Sequence, residues 1–190
     1  MKIGLYFGSF NPIHNGHLII ANYIANNSDI QKVWFIVSPQ NPLKQSSSLL
    51  NEYDRLHLVQ LAVEDDLHFL ASDIEFKLPK PSYTIDTLMY LREKYPKHEF
   101  VVIMGSDSFQ NLPKWKNFPV LLRDYSFIVY NRPGFTVDPV YNARVTLLQA
   151  PLLELSSTFI RTQVKEGKSI RYYVPDKVAN YIEANGYYRN

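Results

Sequence analysis

Histidine, hydroxyl and arginine side chains gather at two places in this sequence, each just after a short apolar run, and both sets suit a polyphosphate. The first is Gly8-Ser9-Phe10-Asn11-Pro12-Ile13-His14-Asn15-Gly16-His17. Gly8 marks a point where backbone turns sharply or approaches a ligand closely. Asn11-Pro12 signals a turn, and Asn15 suits the N-cap of a helix starting near Gly16. His14 and His17 then stand at a helix N-terminus, where N–H groups and the helix dipole favour anions. Each imidazole can donate a hydrogen bond to phosphoryl oxygens whose charge grows in a transition state. Two other readings stay open. The pair could ligate a metal, although zinc wants three or four protein ligands and the chain has no cysteine. They could also be plain structural histidines.

The second set is Leu155-Ser156-Ser157-Thr158-Phe159-Ile160-Arg161, ahead of a run that reads as helix from Phe159 to Lys165 and closes at Gly167. Hydroxyls at N-cap positions beside exposed N–H groups make a second anion cradle. Arg161, one turn in, can reach the same anion with its guanidinium fork. Taken alone, Ser-Ser-Thr before a helix is usually only a cap.

Between the two sets lie Pro39-Gln40-Asn41-Pro42-Leu43-Lys44, then Pro81-Ser82-Tyr83-Thr84-Ile85-Asp86-Thr87-Leu88, then Gly105-Ser106-Asp107, and Trp115. Lys44 could neutralise a phosphate or simply be solvated. Tyr83 and Thr84 read as a helix start with polar caps. Trp115 offers a flat face to a heterocycle, or serves as a half-buried surface anchor.

The elements that must position these residues alternate along the chain. Ile3–Phe7, Val33–Val37, Phe100–Met104, Phe127–Tyr130 and Val145–Leu148 are apolar runs of strand length, and Leu70–Leu78 reads as extended. Leu18–Ala25, Glu52–Val63 and Thr84–Tyr95 have helical spacing, and a last helix begins at Pro175 or Asp176 and ends at Gly186. Strands apolar on both faces and separated by helices imply a parallel sheet covered on both sides. The expected fold is therefore α/β, a Rossmann-like doubly wound parallel sheet forming one domain over residues 1–190. Ligands in such sheets sit at the carboxyl ends of the strands, near the point where strand order reverses. The expected sites follow Ile3–Phe7, Val33–Val37, Phe100–Met104 and Val145–Leu148.

Composition narrows the classes. At 190 residues the chain can bury a core without disulfides or structural metals, and the absence of cysteine excludes thiolate chemistry. A net charge of +2 gives no footprint of nucleic-acid binding. No apolar stretch approaches the ~20 residues that span a bilayer, and the N-terminus lacks the pattern of a signal peptide. A cytoplasmic protein is expected.

The first set resembles the His-x-Gly-His signature of the nucleotidyltransferase superfamily, and the second resembles its Ile/Leu-Ser-Ser-Thr-x-Ile-Arg signature. The intervening segments, with the closing Val174-Pro175…Val178…Tyr181-Ile182 helix, resemble the bacterial nicotinate-nucleotide adenylyltransferases over nearly the whole chain. That resemblance implies transfer of an adenylyl group from ATP to nicotinate mononucleotide, with Mg²⁺ brought by ATP and no metal held by the protein. It implies His14, His17 and Arg161 at the reacting phosphates. It implies ATP contacts at Gly8, Ser9, Phe10, Gly16, Gly105, Asp107, Ser156, Ser157 and Thr158, and nicotinate mononucleotide contacts at Lys44, Tyr83, Thr84 and Trp115. No nucleic-acid or membrane partner is implied, and homo-oligomerisation is left open. One departure stands out: the family opens Gly-Gly-Thr-Phe-Asp-Pro, and here the segment is Phe7-Gly8-Ser9-Phe10-Asn11-Pro12. Gly-Ser-Phe-Asn-Pro also occurs in enzymes that accept the amide substrate, so use of nicotinamide mononucleotide is an alternative. A non-catalytic nucleotide-binding module on the same fold is another, but it would be expected to have lost phosphate-contacting residues.

Overall fold

The computed structural model describes residues 1–40, 49–135, 137, 143–151 and 153–189. Among these, β1 (Lys2–Gly8), β2 (Lys32–Val37), β3 (Phe69–Ser72), β4 (Glu99–Gly105), β5 (Ser126–Tyr130) and β6 (Arg144–Leu148) form one parallel sheet in the order β3-β2-β1-β4-β5-β6. The order reverses between β1 and β4, whose pairing runs from Lys2↔Glu99 to Tyr6↔Ile103. This is the Rossmann-like arrangement expected from the sequence, and a crevice opens where β1 and β4 send their chains to opposite sides.

Period-two alternation divides the sheet residues between two cores. Tyr6, Phe35, Val101, Ile103 and Ile128 face one side, where α1 (Asn15–Asn27), α2 (Glu52–Val63), α6 (Ser157–Lys165) and α7 (Asp176–Ala184) bring Ile24, Leu58, Ile160 and Val178. Leu5, Ile36, Val102 and Phe127 face the other, where α3 (Thr84–Lys94), α4 (Ser106–Gln110) and α5 (Phe118–Asp124) bring Leu88, Phe109 and Leu121. Each fully buried side chain of this size contributes ~1.5–3 kcal/mol of hydrophobic stabilisation. Gly4 lets the first core close: a Cβ there would lie 2.6 Å from Ile103 Cδ1.

Three details differ from the sequence reading. The stretch 70–78 is β3 followed by a 3-10 turn at Ile74–Lys77, because Ile74 and Glu75 turn back into the interior. The strand at Arg144–Leu148 is an edge with largely exposed residues, so its apolar content does not signal burial on both faces. The short helices α4 and α5 carry too few turns to show a periodic pattern.

Candidate active site

The β1–α1 junction is built around the ring of Phe10. That ring is buried against Tyr6, Phe35 and His17, with centroids at 6.0, 5.6 and 5.1 Å. Phe10 backbone takes φ +46°, in the left-handed region. Gly8 permits the fold-back, since a Cβ at that position would lie 2.8 Å from the Phe10 ring.

His14, not Asn15, is the N-cap of α1. Asn15 is occupied elsewhere: its N–H donates to Tyr173 O (2.9 Å) and its Nδ2 to Tyr172 O (2.6 Å). The two imidazoles stack at 3.7 Å, 25° from parallel. His14 N–H donates to His17 Nδ1 at 3.3 Å, so neutral His17 carries its proton on Nε2. His14 is 5% exposed. Burial, with a smaller contribution from the Arg132 charge, lowers its pKa to about 4. It is therefore neutral at pH 7, and its Nδ1 is buried without a hydrogen-bond partner among the described residues. Gly16 makes room for that ring, because a Cβ there would sit 3.0 Å from His14 Nδ1.

The second set docks onto this turn across a sequence separation of 145 residues. Ser156 caps α6 by accepting from Phe159 N–H at 3.1 Å. The helix starts at Ser157, earlier than the sequence suggests, which puts Ser157 and Thr158 in its first turn. Ser157 Oγ donates to Pro12 O at 2.8 Å, and Arg161 Nη1 donates to Asn11 O at 2.8 Å. Arg161 Nη2 also donates to Thr158 Oγ1 at 3.2 Å. Arg161 thus spends part of its fork on the protein's own backbone.

On the β4 side, a cleft of about 710 Å³ is lined by Gly8, Ser9, Tyr83, Thr84, Gly105, Asp107 and Trp115, among others. His14, His17 and the second set lie outside its lining. Thr84 is the first residue of α3 and Tyr83 its N-cap, without a side-chain capping bond. The first turn of a helix leaves N–H groups without intrahelical acceptors. Glu75, 1% exposed, reaches the cleft floor and accepts from Ser82 Oγ (2.6 Å) and Thr87 Oγ1 (2.8 Å). Burial raises the Glu75 pKa against the opposing pull of these hydroxyls. Trp115 is half-buried, packs against the second core and also lines the cleft. Lys44 lies outside the described residues.

Gly105 ends β4 with no space for a side chain: a Cβ would lie 2.4 Å from Asp107 Oδ1. Arg132, which follows β5, pairs with Asp107 (Nε–Oδ1 3.4 Å) and donates to Tyr130 Oη at 3.2 Å. Tyr130 Oη in turn lies 3.3 Å from buried Tyr6 Oη. The 3.4 Å ion pair lacks hydrogen-bond geometry, so Asp107 Oδ1 is buried and charge-paired yet not hydrogen-bonded. Arg132 was not anticipated from the sequence. Asn131-Arg132-Pro133-Gly134 is a turn at a strand end, and inspecting the end of Phe127–Tyr130 with the others would have found it. Glu75 gave no comparable signal, because burial of a lone glutamate is set by distant hydroxyls.

Among the described residues no three His, Cys, Asp or Glu side chains form a metal-holding group, and no helix is long and apolar enough to cross a membrane.

Residues 5–163 match the family described as cytidylyltransferase-like. The chain is 49% identical over 194 residues to a probable nicotinate-nucleotide adenylyltransferase of Flavobacterium psychrophilum, and 52% identical over 191 residues to one of Cytophaga hutchinsonii. In both comparisons all of this chain and all of the relative are covered. It also resembles the solved structure of Plasmodium falciparum nicotinic acid mononucleotide adenylyltransferase complexed with NaAD. There the TM-score is 0.83 at 22% identity, covering 98% of this chain and 97% of that one, a likeness of fold.

Proposed function

We propose that this chain, which belongs to the nicotinate-nucleotide adenylyltransferase family, transfers the adenylyl group of ATP to nicotinate mononucleotide. The products are pyrophosphate and nicotinate adenine dinucleotide, a step of NAD biosynthesis. One observation carries the reading from geometry. Two phosphate-suited motifs are tied together by the Ser157–Pro12 and Arg161–Asn11 bonds, and the first of them contributes Gly8 and Ser9 to a cleft that offers an aromatic face and a helix start.

In the reaction a 5′-phosphate oxygen of nicotinate mononucleotide attacks the α-phosphorus of ATP in line. The new P–O bond forms as the bond to the β-phosphate bridging oxygen breaks, and pyrophosphate leaves with that electron pair. No covalent enzyme intermediate is required, since this chemistry runs on positioning and charge stabilisation. The His17 Nε2–H and the neutral His14 ring would donate to the reacting phosphates. The N-terminal turns of α1 and α6 would face the rest of the polyphosphate, with Ser156, Ser157 and Thr158 on the second. Arg132, with Arg161, would supply positive charge. Gly8, Ser9, Phe10, Gly16, Gly105 and Asp107 would shape the ATP side. Tyr83, Thr84 and Trp115 would receive the pyridine, with its carboxylate toward the start of α3. Magnesium arrives as part of the Mg–ATP substrate and keeps water and phosphate oxygens as ligands. A cytoplasmic enzyme acting on free nucleotides, without a nucleic-acid or membrane partner, is the corresponding cellular reading.

The test is pyrophosphate release from Mg–ATP, with nicotinate and nicotinamide mononucleotides compared in parallel. Strong preference for the nicotinate form is expected. Equal use of both would overturn the specificity, and silence with both would overturn the function.

A further inference from the structure

Arg55 lies in α2, in a segment whose neighbours are core residues, and it is 0% exposed. Among the described residues its guanidinium hydrogen-bonds only to backbone carbonyls. Nε donates to Leu50 O (2.9 Å), Nη1 to Ser9 O (2.5 Å) and Ser38 O (2.8 Å), and Nη2 to Pro39 O (3.1 Å). Among the described residues no carboxylate lies within ion-pair distance of it, and Glu52 acts on it only through a longer-range field. Burying a cation in this way is costly, and a lone structural arginine rarely lacks an anionic partner.

The position of the four carbonyls accounts for the arrangement. The β1–β2 ladder runs to Gly8↔Val37, and its last rung is Ser38 N–H to Gly8 O at 2.9 Å. Beyond that rung the two chains part, β1 into the phosphate-suited turn and β2 toward Pro39. Nη1 occupies the gap and binds Ser9 O and Ser38 O together, so the guanidinium continues the ladder where backbone can no longer pair. In a trans peptide the C=O and the following N–H point in opposite directions. Holding Ser9 O toward Arg55 therefore turns the Phe10 N–H the other way, at a residue whose φ is +46° and whose ring is buried.

We propose that Arg55 is a positioning residue for adenylyl transfer: it fixes the Ser9–Phe10 peptide so that the Phe10 N–H is presented to the nucleotide phosphates. In addition it places a positive charge, with no ion-pair partner among the described residues, behind that turn. Only an arginine fork reaches carbonyls in three segments at once; a lysine ammonium is a single point donor. The inference rests on the adenylyltransferase reading above.

The experiment compares wild type with Arg55→Lys and Arg55→Ala, measuring kcat per folded molecule (folded fraction from circular dichroism), KM for each substrate, and the thermal shift given by a non-hydrolysable ATP analogue with Mg²⁺. Arg55→Lys is expected to lower kcat about 10- to 100-fold, less than the outright loss of an aimed donor because the Phe10 N–H is misdirected rather than removed, with smaller changes in KM. Millimolar guanidinium is expected to restore part of the kcat of Arg55→Ala, which a purely structural role would not allow. If Arg55→Ala does not fold, Arg55→Lys alone decides. Unchanged kcat per folded Arg55→Lys molecule overturns the proposal. Failure of the parent reading looks different, because wild type itself would then release no pyrophosphate. In that case a thermal shift by the ATP analogue that persists undiminished in Arg55→Lys overturns the positioning role, and a diminished one supports it.

Discussion

At the scale of single residues, the proposed site rests on two imidazoles in different states of exposure. His17 is half-buried with its proton assigned to Nε2 by the His14 N–H bond. Replacing it with alanine is expected to reduce kcat about 10²–10³-fold, in the range for loss of one transition-state donor, while circular dichroism stays native. His14 affects stability as well. Its folded pKa of about 4 lies below the ordinary histidine value of 6.5, so the unfolded chain binds more protons between those values. Stability from this group is full above about pH 6.5, falls as pH drops toward 4, and is level below that. The drop should reach about 3 kcal/mol. Denaturant titrations from pH 7 to 4 should show a shallower slope in His14→Asn than in wild type. Gly16→Ala separates packing from propensity. Alanine favours the helix by ~1 kcal/mol over glycine, but its Cβ would press on the His14 ring at 3.0 Å. Melting temperature should hardly move while kcat falls at least about 10-fold, through the displaced donor.

At the scale of elements, the question is how helix starts are aimed at one crevice. The start of α3 is held from below by Glu75, which receives both Ser82 and Thr87 hydroxyls. Glu75→Ala would leave the two buried hydroxyls only their longer contacts, Ser82 Oγ to Gln40 O (3.4 Å) and Thr87 Oγ1 to Tyr83 O (3.3 Å), and should cost about 1–2 kcal/mol. Because the loosened turn carries Tyr83 and Thr84, KM for nicotinate mononucleotide should rise more than KM for ATP. A steady-state comparison of the two KM values checks this, and an equal rise in both would show that Glu75 does not act through α3.

At the scale of the whole molecule, the last residues return to the first turn. Tyr188 Oη donates to Asn11 Oδ1 at 2.9 Å, the same oxygen that accepts Leu50 N–H at 3.2 Å. Lys177 on α7 meets Glu64 at 2.5 Å and Asp65 at 2.8 Å. The Tyr188 hydroxyl is pushed well above the ordinary tyrosine range by burial and stays protonated as a donor. Tyr188→Phe should cost about 1 kcal/mol, or a melting temperature lower by about 2–4 °C. A loss of kcat larger than the loss of folded protein should accompany it, because Asn11 also bears the Arg161 contact. Calorimetry and initial rates on the same sample test both.

How much of this could be read beforehand differs by kind of residue. His14, His17, Ser156 to Arg161 and the strands β1, β2, β4 and β5 were legible because their signals are local: a turn beside a helix cap, or an apolar run. Asn15 looked like a cap on the same local evidence. It is not one, because Tyr172 and Tyr173, far along the chain, take its donors. Arg55, on a helix of ordinary pattern, and Arg132, in a turn, carry no local signal that sets them apart. Their positions depend on carbonyls and carboxylates contributed by other strands.

By itself, then, the sequence determined the alternation of strands and helices, the parallel sheet that follows from it, and the side chains available for phosphate chemistry, since periodicity and capping act within a few residues. Only the tertiary structure decided which of them meet. Ser157 and Arg161 reach Pro12 and Asn11, Arg55 bridges the parting ends of β1 and β2, and Glu75 supports α3. The reason is that a buried polar group takes the partner that packing brings to it, and packing is settled by the whole sheet rather than by neighbours in sequence.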